Sequence, residues 1–454
     1  MWYAKWSSTL GSALCLLMAC SSAYTPRILA QVDAGADAAK VGTASRDADA
    51  LFVDGFDVAE TGVCAGFYAP SFEPVLGQVQ AASGNPARPL KGEIQADPNF
   101  GTCVVRATDH AAEPPSGFAR NDYSRRQAFN SNNSRFIVYS LSGHWHLYDA
   151  NTLQYLRQLS GPAGDAEPQW HPTDPQMLYF VPTNGGTVIK RLNVETNQSI
   201  TVADFSGRLP WSGVAHIWTK SEGSPSADGR YWCLQAETDS FGILGVFTYD
   251  LQTNQILGTR SMSERPDHVS MSASGRWCIV SSDGAEGTRA WDPAFSTYRQ
   301  LHHKSEHSDA ALGADGDDYF VFVNYQSNAG DLVMVNIDSN VRTTLFPTYI
   351  QGTATAYHVS GKAFSKPGWV LVSTYAHTGN ELWLHERIMA VELAANPLIV
   401  NLAHHHSFAN GYWTEPHASV SRDFTRVLFT SNWGSTAAED VDAYMVRLPP
   451  SLLP

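Results

Sequence analysis

The sequence is poor in charge, and poorest in positive charge. Of 454 residues only 16% are Asp, Glu, Lys or Arg, and 30 basic residues face 44 acidic ones, for a formal net charge of −14. That composition excludes nucleic acid as a partner, because phosphate binding needs a basic surface. After the first twenty residues no apolar run approaches the roughly 20 residues of a membrane-spanning helix, so no transmembrane span is expected. Long helical periodicity is absent as well. There is no G-x-S-x-G elbow, phosphate-binding Gly loop, HExxH helix, CxxC pair or EF-hand loop. The chemistry that each of those motifs carries is thereby removed.

Cysteine is scarce, at six residues. Cys15 and Cys20 lie in the leader. Cys64 and Cys103 flank the segment ahead of the repeats and are placed to form a disulfide in an oxidising compartment. Cys233 and Cys278 occupy matching places in neighbouring repeats, in "RYWCLQ" and "GRWCIV", and read as free buried thiols.

The leader has one charge, Lys5, followed by the small and apolar "STLGSALCLLMAC". Residues 1–23 therefore read as an export signal. Leu17-Met18-Ala19-Cys20 resembles a bacterial lipobox, which makes Cys20 a candidate lipid anchor. Cleavage near Ser21-Ser22-Ala23 is the alternative. The expected location is periplasmic, outer-membrane lipoprotein or extracellular. Residues 24–55, rich in Ala, Asp and Gly, read as a disordered linker, and 56–118 as a strap with a ring-closing strand.

Residues 119–454 alternate short apolar strands with turn residues, the signature of an all-β fold. A polar turn followed by an alternating strand recurs seven times, anchored at Asn133, Asp174, Asp228, Ser274, Asp315, Pro367 and Asp423, at steps of 41 to 56 residues. A second turn recurs six times, at Asp149, Asn193, Asp250, Asp292, Asn336 and Glu392. Two interleaved hairpins per repeat make a four-stranded antiparallel unit. The spacing predicts a seven-bladed β-propeller of such blades. The seventh blade lacks its outer strand at the C-terminus, so "GTCVVRATDH" is expected to supply it and remove an open sheet edge.

Polar residues gather ahead of the seven first strands, where loops from different blades open on one face of the channel. Six of these seven segments carry a histidine: His171, His216, His268, His307, His358 and His417. The first carries Arg125 and Arg126 instead. Six residues before the anchors stand Glu222, His268, Asp309 and His417, and eight before stand His307 and Glu415. A histidine at a strand start commonly caps or packs, but the set converges on acid, base and metal-ligand types at one rim. His302-His303 and the run His404–His406 read as solvated loop residues. The 13 Trp and 18 Tyr are mostly core in a β-rich chain, though their faces also suit sugar stacking.

The blade-start pattern "SADG" resembles the TolB-like propellers. "EPHASVSRDFTRVLFTSNWG" resembles the last-blade segment of oligogalacturonate lyases and related propeller-type polysaccharide lyases. That resemblance implies a divalent metal on the channel rim and β-elimination of an acidic, uronate-containing polysaccharide or oligosaccharide. Carried over by position, His417 matches the second histidine of the family's His-Pro-His, and Glu415 stands where the first would be. His358 is similar in position to a further ligand. A carboxylate in the set shifts the expected ion toward Mn or Ca. His307 resembles the catalytic base, with His268, Arg289 and Tyr357 as further catalytic candidates and Tyr325 and Tyr412 as possible proton donors. Arg125, His171, His216 and Trp413 are candidates for substrate binding. The alternative is a non-catalytic TolB-like propeller that binds a protein or glycan, with its histidines bonded into the blades and Trp218, Trp413 and Trp433 exposed.

Overall fold

The computed structural model describes residues 61–454 apart from 116, 184, 380 and 381. The export signal, Cys20, the linker and the first residues of the strap lie outside the described residues. The described chain is all-β. Among the described residues the only helix is one 3-10 turn, Tyr412–Thr414, and no helix is long and apolar enough to cross a membrane.

Seven four-stranded antiparallel blades follow in chain order. Their first strands are Phe118–Arg120, Gln169–Trp170, His216–Trp218, His268–Met271, Ser308–Leu312, Ala354–Ser360 and Ser419–Val420. The first series of turns joins first to second strands. The second joins third to fourth strands in blades one to six, and its polar residue fixes the turn locally. The Asp149 carboxylate, for example, accepts the backbone N–H groups of Asn151 and Thr152, each at 2.9 Å. Asx turns of this kind give the chain a local reason to reverse.

The last blade is closed from the N-terminal side, as expected. Cys103–Arg106 pairs antiparallel with Val441–Arg447, and Ile94–Ala96 adds a further strand outside it. Val441 and Asp442 pair in parallel with Phe118 and Ala119, so the last and first blades form one nine-stranded sheet. The ring therefore leaves no free edge at its seam. Cys64 and Cys103 form a disulfide across this closure. The expectation of free thiols at Cys233 and Cys278 is corrected. These residues sit on the second strands of blades three and four with Cα atoms 5.3 Å apart, and they are bridged.

The apolar cores lie between neighbouring blades. Val321 and Val323 of blade five, for example, pack with Val370, Val372 and Met389 of blade six. Near the channel the first strands approach closely. A Cβ on Gly361 would lie 2.2 Å from the Ala310 carbonyl oxygen, so only glycine fits there. His404, His405 and His406 are buried, not solvated. The strap covers them: Asp97 accepts the His404 backbone N–H at 2.8 Å, and Phe100 stacks on the His404 ring.

Candidate functional site

Three of the expected residues meet at one end of the channel. Glu415 and His417 lie between the 3-10 turn and the first strand of blade seven, and His358 lies within the first strand of blade six. Glu415 Oε2 is 2.8 Å from His358 Nε2 and 3.6 Å from His417 Nε2. The two imidazole rings are 4.2 Å apart between centroids, and His307 stacks on His358 at 4.6 Å. His417 takes a left-handed backbone, φ 38°, a costly conformation for a non-glycine residue. It is held by the Asn121 side chain, which donates to its carbonyl, and by a 3.2 Å contact of its Nε2 with the Tyr412 carbonyl oxygen.

Burial sets the protonation states. His358 and His417 are 1% and 0% exposed. Desolvation, then neighbouring positive charge, holds both well below the usual histidine value, so both are neutral. Burial pushes Glu415 up to about 7, against the opposing pull of His307 and Arg120. His358 Nδ1 and His417 Nδ1 are buried without a hydrogen-bond partner. Two neutral imidazoles and one carboxylate, with ligating atoms all within 4.8 Å of one another, fit a borderline-to-hard divalent cation.

His307 has the geometry of a base. Its Nδ1 lies 2.8 Å from the Tyr357 carbonyl oxygen, which can only accept, so Nδ1 carries the proton and Nε2 the lone pair. Burial, then His358, lowers it to about 4. The Tyr375 hydroxyl is 3.1 Å from the same Nδ1. Since Nδ1 is the donor there, Tyr375 keeps its own O–H proton for another acceptor, and burial raises this phenol well above its ordinary value. A cavity of about 270 Å³ beside these residues is lined by Tyr375, His377, His405, Phe408 and Glu415.

A second polar group is built around Arg125. Arg125 Nη1 pairs with Glu222 at 2.5 Å, and its guanidinium also bonds to Ser308. His268 Nδ1 is 3.4 Å from Asp267 and 3.8 Å from Glu222. Lys220 reaches Asp267 at 3.3 Å. Deeper in the channel Asp309 forms a buried pair with Lys362 at 2.8 Å and accepts the Gly361 N–H.

Several expected site residues are not brought together. His171 follows the first strand of blade two, at the turn end. Its Nδ1 accepts the backbone N–H groups of Thr173 and Asp174, so it caps that turn. His216 stacks on Phe241 at 4.4 Å. Arg289 is on the third strand of blade four, paired with Glu286 and Gln300. The Tyr357 side chain packs into the blade against Phe346 and Trp383, and only its backbone reaches His307. Tyr325 receives the Tyr357 N–H on its hydroxyl. Trp218 and Trp433 are buried.

Sequence reading missed Tyr123, Tyr375 and Arg120. The Tyr123 ring lies 5.4 Å from His358 and 5.1 Å from His417, and Tyr375 stacks on His358 at 4.6 Å. Tyr375 could have been found by pairing strands across the Pro367 turn, which sets it opposite Ala356, two residues from His358. Tyr123 and Arg120 had no such signal, because the chain leaves the blade after Phe118–Arg120 and rejoins it at Phe129.

No protein-family model matches the chain, and no curated protein matches it. Solved structures do. An oligogalacturonate lyase from Vibrio parahaemolyticus superposes with a TM-score of 0.57 at 12% identity, over 80% of this chain and 97% of that one. An oligogalacturonate lyase in complex with manganese superposes with a TM-score of 0.56 at 14% identity, over 79% and 96%. At these identities the likeness establishes the propeller fold.

Proposed function

We propose that the protein is a polysaccharide lyase that cleaves a uronate-containing glycan by β-elimination at this rim, with a divalent cation, Mn²⁺ or Ca²⁺, held by His358, Glu415 and His417. The observation that carries the reading is the junction of that three-donor cluster with His307, whose lone pair is free and whose tautomer is fixed. A propeller of this architecture is also the frame of an oligogalacturonate lyase described in complex with manganese.

The bound cation would neutralise the substrate carboxylate, which makes the adjacent C5–H more acidic. His307 Nε2 takes the C5 proton, the C4–C5 double bond forms, and the bond from C4 to the glycosidic oxygen breaks. The departing oxygen receives a proton from Tyr375 or from water. Tyr123 and Tyr412 flank the histidines and limit the space around them. The binding-module alternative expects exposed Trp218, Trp413 and Trp433 and histidines bonded into the blades; Trp413 is partly exposed, but Trp218 and Trp433 are buried and the orphaned imidazole nitrogens argue against it. Export, with either lipid attachment at Cys20 or cleavage near Ser21-Ser22-Ala23, belongs to the same proposal.

The test is the ultraviolet absorbance of the unsaturated uronate product, over pectate, ulvan, alginate and glucuronate-capped glycans, with Mn²⁺ or Ca²⁺ and then EDTA. A signal lost in His307→Ala and suppressed by EDTA supports the reading. A flat trace on every glycan rejects it.

A further inference from the structure

A cleft of about 160 Å³ opens beside the histidine cluster and takes no part in the chemistry above. Two buried arginines line it. Arg126 spends Nε on Asp122, at 3.0 Å, and Nη2 on the Ser221 carbonyl, at 2.7 Å, which leaves Nη1 without a partner. Arg120 gives its terminal nitrogens to the carbonyls of Asn121 and Asp122 and leaves Nε without one. The two residues are 2% and 0% exposed, and a buried donor with no acceptor is costly. Asp122, Asp165 and Glu167 also line the cleft; Asp122 is paired with Arg126, and Glu167 is occupied with the backbone N–H groups of Thr219 and Ser221. Burial pushes its carboxyl up to about 7, so it is a weak counter-charge to Arg126.

The walls have the other half of a sugar site. Trp413 is partly exposed and carries the Arg120 guanidinium over its ring at 4.8 Å, and Tyr412 is 47% exposed. Flat amphipathic rings beside charged donors suit a ring that has apolar C–H faces and one carboxylate. Tyr412 also lies 4.8 Å from the His417 ring, so the cleft abuts the reaction site with one side chain between them.

The geometry points to a second subsite, in which Arg126 and Arg120 bind the carboxylate of the uronate unit next to the reacting one and Trp413 and Tyr412 contact its ring. This inference rests on the lyase reading for the identity of the chain that occupies it. It gives the enzyme a preference for glycans in which acidic units are neighbours.

The experiment is calorimetric titration of the full chain carrying Glu415→Gln, in EDTA, so that neither turnover nor metal contributes. The probes are D-glucuronate, D-galacturonate, D-glucose and inorganic sulfate. A uronate is expected to bind at least about tenfold more tightly than glucose, and adding Arg126→Gln to lower its affinity by about tenfold or more. Arg126→Lys, which keeps the charge without the fork, should fall between and serves where the Gln variant does not fold. Absence of uronate binding, binding unchanged in both Arg126 variants, or sulfate bound while neither uronate is, would overturn the subsite. An Arg126-dependent uronate signal upholds it even if no glycan yields unsaturated product. Conversely, turnover with a KM unmoved by Arg126→Lys rejects the subsite and leaves the lyase reading intact.

Discussion

Two titratable clusters face the same channel, and they differ in how their charge is met. In the first, His358, Glu415 and His417 have no Lys or Arg ion-pair partner; Glu415 meets only the two imidazoles, and the Nδ1 atoms of both histidines are orphaned. In the second, Glu222, Asp267 and His268 are as close together, yet each carboxylate already has a cation: Arg125 at 2.5 Å and Lys220 at 3.3 Å. Proximity of ligand-type residues alone therefore does not mark a metal site. An unmet demand for a cation does, and among these clusters only the first shows it.

The largest effect expected from breaking this asymmetry is at Glu415. Glu415→Ala should abolish stoichiometric Mn²⁺ binding, read by titration calorimetry, and lower turnover on the active glycan by about 1,000-fold, as loss of a metal-borne charge would. Asp267→Asn should leave Mn²⁺ affinity within about threefold, since no unmet charge is removed there. Equal losses in the two variants would erase the distinction. His307→Ala should lower kcat by about 100- to 10,000-fold, the usual range for a general base, while Mn²⁺ binds as in the parent. A parallel loss of metal would make His307 a ligand.

Arg125 offers the converse test. Arg125→Met removes the cation from the second cluster, and the titration should then show a second equivalent of bound Mn²⁺. The cost is about 3 kcal/mol in denaturant unfolding, because Glu222 and the Ser308 contacts lose a buried partner. One equivalent before and after would show that charge balance is not what separates the clusters.

Much of this was legible in the sequence, and the failures have physical causes. The anchors Asn133 to Asp423 marked the blades because each turn reports a strand reversal locally. His307, His358, Glu415 and His417 lie together because a closed ring brings equivalent positions of its blades to one place. His171 and His216 fell outside because they stand three and twelve residues before their anchors, where His307, His358, Glu415 and His417 stand six to nine before theirs. Tyr123, Arg120 and Arg126 lie where blade one departs from the repeat, so spacing was silent about where they point. The burial of His404–His406 depends on a strap from some 300 residues earlier, and the Cys233–Cys278 bridge depends on the second strands of two adjacent blades lying side by side. Both are tertiary facts without a local pattern.

The smallest effect sharpens the comparison from the charge-balanced side. The loop that carries Glu222 is fixed to Glu167, which accepts the N–H groups of Thr219 and Ser221. Burial raises Glu167 from its ordinary 4.5 to about 7, against the pull of those bonds and of Arg126. The folded state thus holds this proton more tightly than the unfolded chain does. The resulting stabilisation is complete below about pH 4.5, declines as the unfolded chain ionises, and is gone once the pH has risen through about 7. Over that window unfolding free energy should fall by about 2–3 kcal/mol from this group. Glu167→Gln, neutral throughout, should flatten that part of the profile in urea titrations between pH 4.5 and 8. An unchanged profile would mean that Glu167 stays ionised, with the anchored loop then held by a charge that Arg126 already meets.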